Sequence, residues 1–250
     1  MGKIYLKKGK LVIMAIYIIA DLHLSLKDQN KNMSVFGGNW VGYEEKIKDN
    51  WKKVVNEDDL VIIPGDISWA MNLEDTIVDF SFINELPGKK ILLKGNHDYW
   101  WTTVTKINKF LQENQFNTIS VLYNDSYCYN DYIIVGTRGW NINSDDEQDK
   151  KIINRELARL ETSLKDGINK YGNDKNIICC FHFPPITKVQ IIKNESSKFL
   201  NILKKYNVKQ CYYGHLHSTA HREAIEENIN GIELKLISSD YLNFELFKIC

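Results

Sequence analysis

The chain repeats one pattern, in which a short apolar run rich in β-forming residues leads into a carboxylate, a carboxamide or an imidazole. The runs are four to six residues long, as buried strands usually are. They are Ala15–Ala20, Leu60–Ile63, Lys90–Leu93, Tyr132–Val135, Ile177–Phe181 and Gln210–Tyr213. Five of them precede polar segments, which are Asp21-Leu22-His23, Asp66, Asn96-His97-Asp98, His182 and His215-Leu216-His217. Sites in open α/β sheets form beyond the carboxyl ends of strands, so we expect these side chains to converge.

Helical patterns lie between many of the runs, and hairpin signals lie near both ends of the second half. Predicted helices span Tyr43–Val55, Leu73–Leu86, Thr102–Asn114, Gln148–Tyr171 and Ser196–Tyr206. Predicted antiparallel pairs join Tyr127–Tyr129 to Tyr132–Val135, and Ala224–Ile229 to Ile232–Ile237 around Asn230-Gly231. Alternating strands and helices, followed by a β-richer tail, predict an α/β (α+β) fold with two packed mixed sheets covered by helices.

The expected shared site also bears on domain organisation. Because the polar segments extend from residue 21 to residue 217, we predict a single domain over residues 1–250. The longest apolar run, Leu11–Ala20, has ten residues, which are too few to span a bilayer. Met14 is an alternative start, so residues 1–13 are interpreted either as an extension before the domain or as an added first strand segment.

Composition narrows the partners and the compartment. The 32 basic residues balance the 32 acidic ones, so no overall field attracts the chain to nucleic acid or to a membrane surface. This overall balance does not exclude a local patch of basic residues. The five cysteines show no C-x-x-C spacing, which favours reduced thiols and a cytoplasmic protein. The sequence does not fix an oligomeric state.

The polar segments have the chemistry of a site for two divalent metal ions. Imidazole and carboxylate ligands without thiolate suit Zn, Fe, Mn or Co. Within Asp21-x-His23 and within His215-x-His217, the two side chains lie on the same side of an extended segment. Asp66 has two carboxylate oxygens with which to bridge a pair of ions. Two ions about 3.5–4 Å apart clamp a phosphate ester and lower the pKa of a bound water.

The segment Asn96-His97 combines a neutral oxygen ligand with a second imidazole. His97 is next to the candidate ligand Asn96, and from there it can reach a leaving-group oxygen. We therefore predict that His97 donates a proton during cleavage.

All five polar segments, in this order, match motifs of the calcineurin-like metallophosphoesterase superfamily, which the chain resembles. The motifs are Asp21-x-His23, Gly65-Asp66, Gly95-Asn96-His97-Asp98, His182 and Gly214-His215-x-His217. The resemblance implies a four-layer α/β/β/α sandwich, two divalent metal ions (Mn, Fe or Zn) and His97 as the catalytic histidine. It implies that one metal is held by Asp21, His23, Asp66 and His217. It implies that the other is held by Asp66, Asn96, His182 and His215.

One motif departs from that of the protein Ser/Thr phosphatases in this superfamily. Trp69 stands where those enzymes have an aspartate that supports the catalytic histidine, and Ala70 stands in place of an arginine. A protein-phosphatase function is therefore disfavoured, and Asp98 becomes the candidate support for His97. The chain is more similar to the stand-alone bacterial predicted phosphohydrolases of the superfamily, whose substrates the resemblance does not fix.

Three further residues are candidates for substrate binding. Trp69 and Trp100 could stack on a substrate, although tryptophans in such loops often pack the loop itself. Arg138 follows a predicted strand between glycines, where a guanidinium can fork onto a phosphate. Arg155 and Arg159 are expected to pair with glutamates at the surface of a helix. His221 is expected to be a surface residue.

These features predict an enzyme, a dinuclear metal-dependent phosphohydrolase. Its expected substrate is a small phosphomonoester or phosphodiester, cleaved by attack of a hydroxide that bridges the two metals. The alternative enzyme is a nuclease or phosphodiesterase acting on nucleic acid. The alternative outside the enzymes is a non-catalytic scaffold protein with the same fold. In such a protein, some ligand residues of the motifs would be expected to be lost.

Overall fold

The computed structural model describes residues 4–7, 10–28, 33–142, 144 and 146–250. The strands are β1 (Ile4–Lys7), β2 (Lys10–Ile13), β3 (Ile16–Ile18), β4 (Leu60–Pro64), β5 (Lys89–Leu93), β6 (Ile119–Val121), β7 (Tyr127–Tyr129), β8 (Tyr132–Thr137), β9 (Asn176–Phe181), β10 (Gln210–Tyr213), β11 (Asn228–Ile229), β12 (Ile232–Leu236) and β13 (Phe247–Lys248). The α-helices are α1 (Tyr43–Val54), α2 (Ile77–Glu85), α3 (Val104–Glu113), α4 (Glu147–Tyr171), α5 (Lys188–Ile192) and α6 (Lys198–Lys205).

Two mixed sheets form the centre of the fold. The first has the order β13-β3-β4-β5-β6, in which only β13 pairs antiparallel. The second has the order β11-β12-β10-β9-β8-β7, in which the edge strands β11 and β7 pair antiparallel with their neighbours. The parallel central strands are buried on both faces, as the continuous apolar runs of the sequence require.

Three buried clusters show how the layers stack. Between the sheets, Ile18 and Ile62 of the first pack in one cluster with Ile134 and Ile178 of the second. A second cluster joins the outer face of the first sheet to α1, α2 and α3, and a third joins the outer face of the second sheet to α4 and α6. The predicted four-layer α/β/β/α sandwich is therefore confirmed.

The predicted elements lie where the sequence places them, with shifted ends. The strand predicted over residues 224–229 is reduced to β11, because residues 224–227 are irregular and only residues 228–229 pair with β12. The short helix α5 was not predicted. Within the described residues, β1 and β2 pair only with each other, as an antiparallel hairpin. Residues 1–3 and 8–9, which belong to the predicted extension, lie outside the described residues.

The loops that follow the strands bend sharply at their polar residues. Four candidate ligands have a left-handed backbone, with φ of 61° at Asp21, 46° at His23, 52° at Asp66 and 74° at His215. Such backbone is unfavourable for residues other than glycine, and the surrounding structure must hold it. Strain of this kind concentrates at functional sites, and here it lies at the ends of β3, β4 and β10.

Candidate metal centre

One group of candidate ligands gathers where β3 and β10 end. Nε2 of His23 lies 3.2 Å from Nε2 of His217, and the latter atom lies 3.7 Å from Oδ1 of Asp21. One ligand atom from each of the three residues falls within 4.8 Å of the other two. His23 and Asp21 are buried, while His217 is partly exposed. Three such atoms around a common point can hold a divalent cation.

A second group adjoins the first at the ends of β4, β5 and β9. Nε2 of His182 lies 2.6 Å from Oδ1 of Asn96 and 3.4 Å from Oδ2 of Asp66. The ring of His215 lies 5.1 Å from that of His182, measured between centroids. The two groups meet at Asp66, whose Oδ2 is also 3.6 Å from Nε2 of His23. All seven predicted ligands are therefore brought together at one edge of the sandwich.

Hydrogen bonds orient two of the histidine rings toward the centre. Nδ1 of His182 lies 3.2 Å from the carbonyl oxygen of Pro64, and Nδ1 of His217 lies 2.8 Å from Oδ1 of Asp240. Both partners accept hydrogen bonds, so each Nδ1 carries a proton. The neutral ring of His182 then turns an Nε2 lone pair toward Oδ1 of Asn96 and Oδ2 of Asp66, and a cation between these atoms would satisfy them. Nε2 of His217 faces Oδ1 of Asp21.

The fit to a cation is supported by an unsatisfied atom. Oδ1 of Asp21 is buried and has no hydrogen-bond partner among the described residues, while its Oδ2 accepts the N–H of His215 at 2.9 Å. A buried carboxylate oxygen without a partner is costly unless an ion neutralises it. Imidazole nitrogens with carboxylate and carboxamide oxygens match the donor set of Zn, Mn and Fe.

The pKa values of the aspartates and histidines in the site are shifted by burial and by one another's charges. Burial and the carboxylate of Asp21 raise the pKa of Asp66 to about 8. Burial lowers the pKa of His23, and it lowers the pKa of His215 to about 3. Although burial acts in the opposite direction, Asp21 and Asp240 raise the pKa of His217 to about 10. Asp66 is thus the carboxylate that lacks compensating charge beside Asp21, and a divalent ion would supply that charge.

His97 lies beside both groups without joining either of them. Its backbone N–H donates to Oδ1 of Asp66 at 2.8 Å, which orients that carboxylate. Its ring centroid is 5.8 Å from that of His23 and 4.6 Å from that of Trp69. The hydroxyl of Tyr99 lies 3.5 Å from its Nδ1. Burial lowers the pKa of His97, and His182 and His217 lower it further.

Asp98 contacts the loop backbone instead of the ring of His97. Its buried carboxylate accepts five hydrogen bonds, from the backbone N–H groups of Asp66, Ile67, Ser68 and Gly95 and from Nε1 of Trp100. Burial and the carboxylate of Asp66 raise the pKa of Asp98 to about 6, while these donors oppose the rise. The geometry gives Asp98 the task of fixing the loops after β4 and β5, in place of the expected contact with His97.

The two candidate substrate tryptophans have different surroundings. Trp100 is 1% exposed, donates to Asp98 and packs edge-on against Phe80. Burial therefore assigns its ring to the core and leaves no face for a substrate. Trp69 is partly exposed and stacks on His23, with ring centroids 5.0 Å apart. Trp69 thus lines the metal centre, at the position that the sequence comparison with protein phosphatases singled out.

The expected surface pairs on α4 also differ from the structure. Glu156 is buried at 1% exposure, and Arg159 donates to its Oε1 at 2.6 Å. Nη2 of Arg138 lies 3.8 Å from the same oxygen, and its guanidinium is 4.4 Å from the ring centroid of Trp140. Glu156 is turned inward because Thr137, at the end of β8, donates to its Oε2 at 2.6 Å.

Asp240 is the residue near the centre that sequence reasoning missed. Besides His217, it accepts the N–H of Ser218 at 3.1 Å, and its Oδ2 lies 3.2 Å from Nε2 of His221. His221 is therefore partly exposed, as expected of a surface residue, but its ring lies against this carboxylate. Asp240 follows Ser238 and Ser239, and the sequence there matches none of the motifs described above. Only its contact with His217 across 23 residues reveals it.

Comparisons with known proteins agree with a sandwich fold that carries candidate metal ligands at one edge. The chain belongs to the calcineurin-like phosphoesterase family, whose sequence model matches residues 14–219. It is thus a member of a family of metal-dependent hydrolases of phosphoric esters. No curated protein matches the sequence. No helix in the described part of the chain is long and apolar enough to cross a membrane.

Several solved structures have the same fold. The phosphopantetheinyl hydrolase of Mycobacterium tuberculosis is 12% identical, with a TM-score of 0.53 over 94% of this chain and 95% of that one. The protein TT1561 of Thermus thermophilus is also 12% identical, with a TM-score of 0.55 over 94% and 97%. A protein of unknown function from Aquifex aeolicus is 17% identical, with a TM-score of 0.50 over 94% and 95%. At these identities the likeness shows the fold alone.

Proposed function

We propose that the protein is a dinuclear metal-dependent phosphohydrolase acting on a small phosphomonoester or phosphodiester. The observation that carries the proposal is the position of Asp66 between the two ligand groups. Its Oδ2 lies 3.6 Å from Nε2 of His23 and 3.4 Å from Nε2 of His182, so one carboxylate faces both groups. A bridging carboxylate is the feature that distinguishes a metal pair from two separate ions.

The remaining ligands divide between two ions. One would be held by Asp21, His23, Asp66 and His217, and the other by Asp66, Asn96, His182 and His215. Mn, Fe and Zn are the proposed elements because nitrogen and oxygen donors occur here together without thiolate. When bound, such ions supply an acidic water and positive charge for the phosphoryl oxygens.

The protein's own residues would orient the substrate and move a proton. His97 is half-buried at the rim of the centre, where its imidazole can donate to the oxygen of the leaving group. Trp69, stacked on His23, covers one side of the centre and is the proposed contact for the substrate body. Asp98 holds the loops that present Asp66 and His97. Its role is to position these groups.

A small substrate is favoured over nucleic acid by the surroundings of the centre. A cavity of about 320 Å³ lies next to His215 and is lined largely by apolar side chains, among them Trp140, Phe183 and Ile186. Its volume suits a small molecule. The balanced charge of the chain gives no support to a nuclease. Because ligands from both sheets build one centre, we further propose a single domain. The five free cysteines favour a reducing, cytosolic location.

Activity measurements with defined metals test the proposal. The protein is loaded with Mn, Zn, Fe, Mg or Ni and assayed on phosphomonoesters, phosphodiesters, nucleotides and single-stranded DNA. We expect metal-dependent release of product from small esters, and loss of that release in Asn96→Ala. Asn201→Ala, on the exposed face of α6, is the matched control and should behave as wild type. Hydrolysis of DNA alone would favour the nuclease. The absence of any metal-dependent hydrolysis would favour the scaffold.

A further inference from the structure

A second cavity, of about 240 Å³, lies near the candidate metal centre and contains none of its proposed ligands among the described residues that line it. Its charged lining residues are Lys94, Arg138, Arg155, Glu156 and Arg159, and we call it the basic pocket. Four cationic side chains therefore share this cavity with one carboxylate. The chain as a whole has balanced charge, so the surplus is local.

The single carboxylate is already occupied by other partners. Glu156 is 1% exposed, and it accepts from Thr137 through one oxygen and from Arg159 through the other, each at 2.6 Å. Arg138 and Arg155 lie farther from that second oxygen, at 3.8 and 3.7 Å. One guanidinium is thus neutralised at close range, while most of the remaining positive charge of the pocket has no close counterion of its own among the described residues.

Aromatic rings hold two of the cations in place. The guanidinium of Arg138 lies 4.4 Å from the ring centroid of Trp140. That of Arg159 lies 4.9 Å from the ring centroid of Tyr123 and donates to the Tyr123 hydroxyl at 2.5 Å. In addition, Nε of Arg138 is buried without a hydrogen-bond partner in the described part of the chain. Fixed, stacked guanidinium groups with unused donors are suited to a phosphate, because they lose little entropy when it binds.

The basic pocket borders the loops of the metal centre. Lys94 follows β5 and precedes Asn96 by two residues, which places their Cα atoms no more than about 7 Å apart. The carbonyl oxygen of Arg138 accepts the backbone N–H groups of His182 at 3.2 Å and Phe183 at 2.9 Å. An anion in this pocket would therefore lie against the loops that carry Asn96 and His182.

We propose that the basic pocket binds a phosphate group, and that this is a second phosphate carried by the substrate. Phosphate binding by the pocket depends only on the pocket itself. The assignment of that phosphate to the substrate rests on the proposed function. The preferred substrates would then be small molecules with two phosphate groups, one held at the metal centre and the other held by Lys94, Arg138 and Arg155.

Calorimetric titration with inorganic phosphate tests phosphate binding in the basic pocket, and it is carried out with and without bound metal because the metal centre is itself expected to bind phosphate. The variant is Lys94→Gln/Arg155→Gln, which leaves the contacts of Glu156 with Thr137 and Arg159 in place. Lys165→Gln, exposed on the same helix as Arg155, is the matched control. Loss of charge-assisted hydrogen bonds should weaken the pocket's phosphate affinity about tenfold or more in the double variant. The control should bind phosphate as wild type does.

Kinetic measurements test whether the phosphate in the basic pocket belongs to the substrate. For a sugar bisphosphate and its monophosphate, we expect wild type to favour the bisphosphate in kcat/KM, and the double variant to lose that preference. The preference is taken as the ratio of the two kcat/KM values within each protein, so that a change common to both esters cancels. Loss of phosphate affinity without a change in the bisphosphate preference would assign the pocket to free phosphate. That result would contradict a second phosphate on the substrate and would leave phosphate binding by the pocket in place.

The outcomes separate this proposal from the proposed function. If the double variant retains its fold by circular dichroism and binds phosphate as tightly as wild type, the basic pocket is not an anion site. If it fails to fold, Arg155→Gln alone serves, because that side chain is 53% exposed and should weaken phosphate binding in the same direction. Phosphate binding that depends on the pocket, in a protein without hydrolase activity, would contradict the proposed function and leave the anion site intact.

Discussion

Oδ1 of Asp240 lies 2.8 Å from Nδ1 of His217, and this contact ties the C-terminal part of the chain to the candidate metal centre. Asp240 is outside residues 14–219, the part that matches the family model. It fixes the tautomer of His217 so that Nε2 faces Asp21 and His23. We therefore interpret Asp240 as a positioning residue for one of the two proposed ions.

Removing this carboxylate should weaken metal binding. In Asp240→Ala, His217 loses its hydrogen-bond acceptor, and we expect metal affinity to fall about 10–100-fold, as is typical when such a supporting partner is removed. Asp240→Asn keeps one acceptor oxygen and should fall between Ala and wild type. Glu245→Gln, nearby and exposed, is the control. Competition with a metal-sensitive chelator measures the affinities. Equal affinities in Asp240→Ala and wild type would remove this role.

His97 should affect the reaction without affecting metal content. His97→Ala removes the proposed proton donor, which is worth roughly 10²–10⁴-fold in rate. A nitrophenyl phosphate should be affected least because its leaving group departs without a proton, and an alkyl phosphate should be affected most. The measurement is the ratio of variant to wild-type kcat/KM for both esters, with metal content determined in parallel. Equal losses on both esters with both metals retained would make His97 a positioning group for the phosphoryl oxygens.

Asp98 should act through the fold of its loops. Asp98→Asn replaces one acceptor oxygen with an N–H₂ group that faces backbone N–H donors, so buried donors lose their partner. We expect the free energy of unfolding to fall by at least about 2 kcal/mol, the usual cost of unpaired buried groups beside a lost charge. Urea unfolding measures this loss. If Asp98→Asn is as stable as wild type and shows the leaving-group dependence expected for His97→Ala, Asp98 acts as the support of His97 instead.

The sequence predicted the layers and the convergence of seven candidate ligands because both follow from strand ends. Side chains such as Asp21 and His182 lie within three residues of the ends of buried parallel strands, and the direction of the strands brings them to one edge. The contacts of Asp98, Trp100 and Asp240 depend on how loops fold over one another, and local patterns do not encode this. The glutamate partners of Arg155 and Arg159 are expected at the helix surface, yet Glu156 is buried, since helical spacing does not show the hydrogen bond that Thr137 donates to it.

The metal content of Asp66→Ala tests the bridged metal pair most directly. Elemental analysis of the purified, metal-loaded protein should find two divalent ions per chain in wild type. Asp75→Asn, a partly exposed aspartate paired with Lys27, should also hold two. Because both ligand groups share the carboxylate of Asp66, Asp66→Ala should lose most of both ions while keeping its circular dichroism spectrum. Two ions retained by a folded Asp66→Ala would contradict the bridged metal pair on which the proposed function rests.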